Sequence, residues 1–234
     1  MPVLALYLMF NNMELPTQRV AAARKSPRLL TLFGQSKVGK TTVLAQLDNC
    51  LIIDTEAGTE MVDAMKVSVN NLQEFMQTVQ AIKTSEHKYD YIALDTIDNI
   101  VLWMEEFVCK SEGVKTIGDL DFGKGYAMVR DNVMKILGQL KPLGSKGLIL
   151  IGHRKKTLIA NETDIKVNTS SLDLSGKLKN FIMADSDAIG YVFRDAEGDL
   201  KVSFMADDET EAGARCVHLR GQVVDFEWDN IFVD

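Results

Sequence analysis

Cysteine is scarce in this chain: Cys50, Cys109 and Cys216 are the only three, an odd number with no C-x-x-C pair. That argues against a disulfide framework and against a structural zinc site, and a reducing, cytoplasmic setting is expected. Four prolines and sixteen glycines in 234 residues exclude a collagenous or low-complexity chain. No apolar run approaches the roughly 20 residues needed to span a bilayer, so no membrane partner is expected. The apolar start, Met1 to Phe10, lacks the basic residues and cleavage pattern of a secretory signal, and residues 1–27 are expected to form an N-terminal extension.

What is present is the composition of one soluble domain, 46% hydrophobic and 25% charged, which is enough to bury a real core. The net charge of −7 counts against a nucleic-acid partner, but its distribution does not. From Asp185 to Asp234 thirteen acidic residues face four basic ones, so this stretch alone carries −9 and the remainder +2. Arg154 to Lys179 holds six basic residues (Arg154, Lys155, Lys156, Lys166, Lys177, Lys179) against three acidic ones. The bulk acidity hides a basic segment.

After Ser26-Pro27, short β-prone runs alternate with amphipathic stretches of helical length, the pattern of βαβ units and a mostly parallel sheet. Strands are expected at 28–33, 51–54, 91–95 and 147–152, and helices at 40–48, from Asn70 or Asn71 to about 83, 96–110 and 122–140. Leu72, Phe75, Met76 and Val79 are expected to face the core. Residues 111–121 read as a surface loop. The polar stretch from Arg154 to Ser175 reads as a long functional loop. Ala188 to Phe193 and Leu200 to Met205 read as an antiparallel hairpin. An α/β core over residues 28–205 and an acidic segment over 206–234, packed on the core or trailing it, complete the expected organisation.

The chemistry gathers in three places. Gly34-Gln35-Ser36-Lys37-Val38-Gly39-Lys40-Thr41, followed by Thr42, fits G-x-x-x-x-G-K-[ST] between an apolar strand and a helix. There the glycines let backbone N–H groups curl around phosphate oxygens, the helix start adds partial positive charge, Lys40 reaches the phosphates and Thr41 offers its hydroxyl to Mg²⁺. Tyr91-Ile-Ala-Leu-Asp95 ends an apolar strand in a carboxylate suited to the same ion, or to capping the following helix. Leu51-Ile-Ile-Asp54-Thr55-Glu56 places carboxylates beyond another strand. Glu56 is the candidate to activate an attacking water, and Asp54 to support the fold. His153, at the end of Leu148-Ile-Leu-Ile-Gly152, is a candidate to contact the terminal phosphate.

In this order, GQSKVGKTT, LIIDTEAG, YIALDTID and GLILIGH resemble the core of RecA-type ATPases, and the DFGKGY wording at 121–126 is similar to the compact RecA-like ATPases of bacteriophages, including single-strand annealing proteins of the Sak type. The resemblance covers about residues 28–204. It implies a RecA-like P-loop NTPase core with Lys40, Glu56, Asp95 and His153 as catalytic residues, and ATP with Mg²⁺ held by Thr41 and Asp95. His153 falls where RecA has a glutamine. It also implies DNA-lining loops at 111–123 and 154–179, single-stranded DNA as partner with a single-strand-binding protein beside it, and a homo-oligomeric ring or filament in the host cytoplasm. Such assemblies draw a basic residue from the neighbouring subunit, for which Arg215, Lys177 and Lys179 are candidates. An ATPase acting on protein partners, such as a helicase loader or packaging motor, would need the phosphate loop without the basic segment. A metabolite kinase would need an arginine-rich lid, and none is evident.

Overall fold

The computed structural model describes residues 15–87, 89–160 and 166–233, so the Met1–Phe10 run lies outside the described residues. At its centre is a mixed sheet whose strands lie in the spatial order Val223–Asp225, Leu200–Ser203, Ala188–Arg194, Leu29–Gly34, Gly147–Ala160, Tyr91–Asp95, Cys50–Asp54 and Met65–Ser68. β1 (Leu29–Gly34) runs parallel to both its neighbours, β5 (Gly147–Ala160) and β7 (Ala188–Arg194). β4 (Tyr91–Asp95), β2 (Cys50–Asp54) and β3 (Met65–Ser68) continue the parallel half, whereas β8 (Leu200–Ser203) and β10 (Val223–Asp225) close the other edge antiparallel. This is the α/β architecture of a P-loop NTPase core. One strand, β5, separates the strand bearing the phosphate loop from the strand ending in Asp95.

β1, β2 and β4 are buried at every position because both faces are covered, and apart from Thr31 and the carboxylates at the ends of β2 and β4 their side chains are apolar or glycine. Along β1, Leu29 and Phe33 face one core, packed by α2 (Leu72–Thr84), α3 (Ile97–Glu112), α4 (Lys124–Leu140) and α5 (Gly176–Asp185). Leu30 and Leu32 face the other, where α1 (Lys40–Leu44) meets the C-terminal residues Leu219, Phe226, Trp228 and Ile231. The acidic segment is thus built into the second core. β10 pairs with β8, β9 (Gly213–Ala214) pairs with β7, and Trp228, in α6 (Trp228–Ile231), donates its indole N–H to the Val43 carbonyl at 2.7 Å. No helix among the described residues is long and apolar enough to cross a membrane.

Local signals set several boundaries. Asn71 caps α2 by accepting from the Glu74 N–H at 2.9 Å, while the Glu74 carboxylate accepts from the Asn70 N–H at 2.8 Å. Gly113, at φ 70°, ends α3. Elsewhere the structure corrects the expectation. Met76 is 38% exposed and Ile82 takes its place in the core with Phe75 and Val79. α1 stops at Leu44, where Gln46 and Leu47 tighten into turn hydrogen bonds. Residues 111–121 are partly helical, since α3 runs to Glu112 and a capped turn at Ile117–Asp119 buries Ile117.

The largest correction concerns 154–175. β5 does not stop at Gly152 but continues to Ala160 and folds back through β6 (Lys166–Leu172) as an antiparallel ribbon, with Arg154 opposite Leu172 and Thr157 opposite Thr169. The expected loop is a β-ribbon followed by α5. Its backbone groups are satisfied across the ribbon and, at Ser170, by the carbonyl of Glu209 and the N–H of Glu211.

Candidate nucleotide site

The parallel registers bring the strand ends to one edge: Gly34 lies opposite His153, and Asp54 opposite Asp95. The chain leaves β1 at Gly34, where a Cβ would sit 2.5 Å from the Val192 carbonyl oxygen, and enters α1 through Gly39, at φ 122°. Both positions therefore require glycine. Gln35, Ser36 and Lys37 are exposed in the loop, Val38 packs partly on the second core, and Thr42 points to solvent. Lys40 is 6% exposed, and its ammonium donates to the Gly34 and Gln35 carbonyls at 3.0 and 2.9 Å. Burial lowers its pKa, against the opposing pull of Asp95, Asp98 and Glu56.

The Thr41 hydroxyl donates to Asp95 Oδ2 at 2.6 Å. Burial pushes the Asp95 carboxyl above its usual range, with Asp54 and Glu56 adding to the rise while the Thr41 hydrogen bond and Lys40 oppose it. The Asp95–Thr96 peptide is cis. A buried carboxylate beside a threonine hydroxyl and a buried lysine has a use for a divalent cation, which would relieve the crowding of negative charge. Among the described residues no group of three or more His, Cys, Asp or Glu is arranged to hold a metal ion by itself. Two protein ligands suit Mg²⁺, which keeps most of its waters and takes further oxygens from phosphate.

Asp54 and Glu56 divide their labour. Asp54 is buried and accepts from the N–H groups of Glu56, Gly58 and Thr59 and from the Thr59 hydroxyl. Burial alone would raise its pKa, but these hydrogen bonds outweigh it and hold the carboxyl below its usual value. Asp54 thereby clasps the turn that carries Glu56. Glu56 reaches the opening: its Oε1 accepts from the Thr96 hydroxyl at 3.0 Å and stands 3.7 Å from His153 Nδ1.

Asp98, which the sequence reading passed over, completes the group. Its Oδ2 lies 3.6 Å from His153 Nδ1, and its carboxylate accepts from the His153 backbone N–H at 3.3 Å. Asp98 raises the His153 pKa by hydrogen bonding and by charge, and Glu56 adds to the rise, against desolvation and Lys40. The available signal was the first-turn position after Asp95, three residues on in YIALDTID. Lys40, Thr41, Glu56, Asp95 and His153 all line one cleft of about 690 Å³.

The basic residues do not share this convergence. Arg154 turns back toward the phosphate loop, donating to the Tyr191 hydroxyl at 2.8 Å and to Gln35 Oε1 at 3.5 Å. Lys155 and Lys156 are exposed on the ribbon, Lys155 standing 3.5 Å from Asp173. The side chain of Lys166 lies outside the described residues. Lys179 pairs with Glu211 at 2.5 Å, and Lys177 lines a separate cleft with Phe122, Tyr126 and Arg130. Arg215 is held by Asp187 and the Ala184 carbonyl.

A phosphate loop at the sheet edge, with a Thr–Asp pair and a glutamate at the same opening, is the arrangement of a P-loop ATPase. The AAA domain family model matches residues 26–216, and the chain belongs to that family. No curated protein matches it. Among solved structures it is similar to the crystal structure of the RadB recombinase, with 12% identity and a TM-score of 0.49 over 86% of this chain and 88% of that one.

Proposed function

We propose that this protein is a Mg²⁺-dependent ATPase that binds single-stranded DNA for recombination or strand annealing, working as a ring or filament. The observation that supports it best is the continuity of β5: one unbroken strand carries His153 at the nucleotide cleft and then Lys155 and Lys156 on the ribbon. A shift of the strand at His153 is passed to the ribbon without a flexible joint between them.

In this reading Lys40 neutralises phosphate charge, and Thr41 and Asp95 would hold Mg²⁺, which would supply further positive charge to the phosphates. Glu56, aligned by the Thr96 hydroxyl, orients the attacking water and takes its proton. His153, held by Asp98, presents its imidazole toward the terminal phosphate. Glu56 and His153 stand close enough that loss of that phosphate alters the balance between them. Exposed Lys155 and Lys156 would meet DNA phosphates rather than bases, so binding is expected to be salt-dependent and without sequence preference.

One observation favours a second reading, an ATPase acting on protein partners: Lys179 and Lys155 face Glu211 and Asp173, which lessens the positive charge offered to DNA. ATP turnover with and without oligo-dT at about 50 mM salt separates the two, because electrostatic binding strengthens as salt falls. Stimulation by DNA supports the first reading; unchanged turnover with no DNA binding leaves the second.

A further inference from the structure

The phosphate loop emerges between two strands, and each carries an arginine just beyond the level where β1 ends: Arg154 within β5 and Arg194 at the end of β7. Gly34 lies opposite His153 of β5 and Val192 of β7, so Arg154 and Arg194 follow one and two residues beyond the register that ends β1. Arg194 packs against the loop: its Nη2 lies 3.3 Å from where a Cβ on Gly39 would be. Its Nη1 donates to the Gly198 carbonyl at 2.7 Å, which props the guanidinium beside the loop. On the other side Arg154 is propped by the Tyr191 hydroxyl and reaches Gln35. Among the described residues neither guanidinium is paired with a carboxylate.

The charges of the cleft give these arginines a purpose. Glu56, Asp95 and Asp98 surround His153 and Thr41, while Lys40 and Lys37 are the lysines of the loop. A magnesium-bound triphosphate is still an anion, so seating it beside three carboxylates calls for further positive charge. Arginine, always charged and with a planar fork of donors, matches phosphate oxygens.

We propose that Arg194, assisted by Arg154, is a nucleotide-binding residue that supplies positive charge to the phosphate chain from the same subunit, across the loop from the carboxylates. This rests on the ATPase reading and adds a cation to it that the loop motif does not contain. It also moves Arg154 from the DNA path to the nucleotide. The other role open to Arg194 is to cap the 195–198 turn through Gly198. That role needs no nucleotide.

The test is displacement of a fluorescent ATP analogue, with Mg²⁺ present, by ATP and by inorganic tripolyphosphate, which has no base or sugar. Arg194→Gln is expected to weaken both competitors about tenfold at an unchanged melting temperature, Arg194→Lys to recover most of the loss, and Arg154→Gln to weaken both as well. Parent-like affinity for both competitors in Arg194→Gln overturns the proposal, as does weakened ATP with unchanged tripolyphosphate, which would mark a contact to the base or sugar. Melting at a lower temperature with unchanged affinity leaves Arg194 as a turn cap. If the parent fails to bind ATP at all, the ATPase reading falls and this inference with it.

Discussion

Thr41 and Asp95 stand 54 residues apart in the chain, yet the Thr41 hydroxyl donates to Asp95 Oδ2 at 2.6 Å. The hydrogen bond joins the first turn after the phosphate loop to the tip of a strand that is not even the neighbour of β1. It sets a hydroxyl and a carboxylate side by side where a cation can take both.

That pairing has an energetic cost, because the Asp95 carboxyl is buried near Asp54 and Glu56. Asp95→Asn removes a desolvated charge while keeping the shape and an acceptor for Thr41. The variant is expected to melt at or above the parent temperature, by an amount on the order of 1 kcal/mol, while losing at least about a hundredfold in hydrolysis. Melting curves beside turnover across a Mg²⁺ titration check both halves. A variant that is both less stable and fully active would contradict the assignment.

Asp54 makes the opposite case. Asp54→Asn leaves some of the turn donors unmatched, and a loss of about 1–3 kcal/mol is expected in denaturant unfolding. The folded carboxyl sits below its ordinary value, so its contribution is present above the usual carboxylate pKa and fades as pH falls through the lowered folded value. The gap between parent and variant should therefore be widest near pH 7 and narrow below about pH 4. A gap that widens in acid would show that charge has no part in the clasp.

His153 owes its raised pKa first to the Asp98 hydrogen bond. In the parent the imidazolium therefore persists above the ordinary histidine value of about 6.5. Asp98→Asn should move the His153 titration, followed by NMR of the ring protons, to lower pH, and the pH dependence of ATP turnover should shift the same way. An unmoved titration would mean that Glu56 governs the ring instead.

On the ribbon, Lys155 has Asp173 beside it, whereas Lys156 is exposed with no carboxylate partner among the described residues. Lys156→Gln should reduce the salt dependence of single-stranded DNA binding by about 0.7 in the logarithmic slope, and Lys155→Gln by less. Fluorescence anisotropy at several salt concentrations measures both. Identical slopes in the parent and both variants would remove the ribbon from the DNA path.

The features legible in the sequence were those whose signal is local. The phosphate loop, with its glycines and its lysine, lies between an apolar strand and a helix, and the short runs LIID and YIALD are buried on both faces, so composition alone marks them as strands. The ribbon escaped because its residues carry no hydrophobic alternation: 155–158 face water, and Thr169 to Ser171 are covered by polar contacts with 208–211 rather than by a core. The edge strand β3 was missed for a similar reason, since Met65, Lys66 and Ser68 are exposed and only pairing with β2 makes them a strand. Arg194 gains its place only from the sheet order, which sets β7 against β1 without any sequence nearness to the loop. Met76 fitted the helical stripe but stands at its margin, where α2 and α3 leave the ring of Phe107 exposed beside it.

The most direct measurement is a pair on Glu56→Gln: equilibrium affinity for MgATP, and single-turnover hydrolysis. The site as built predicts affinity close to the parent's, because Lys40, Thr41 and Asp95 are untouched, with hydrolysis slowed by about two or more orders of magnitude. Hydrolysis at the parent's rate would contradict the account, since the carboxylate over the cleft would then take no part in the reaction.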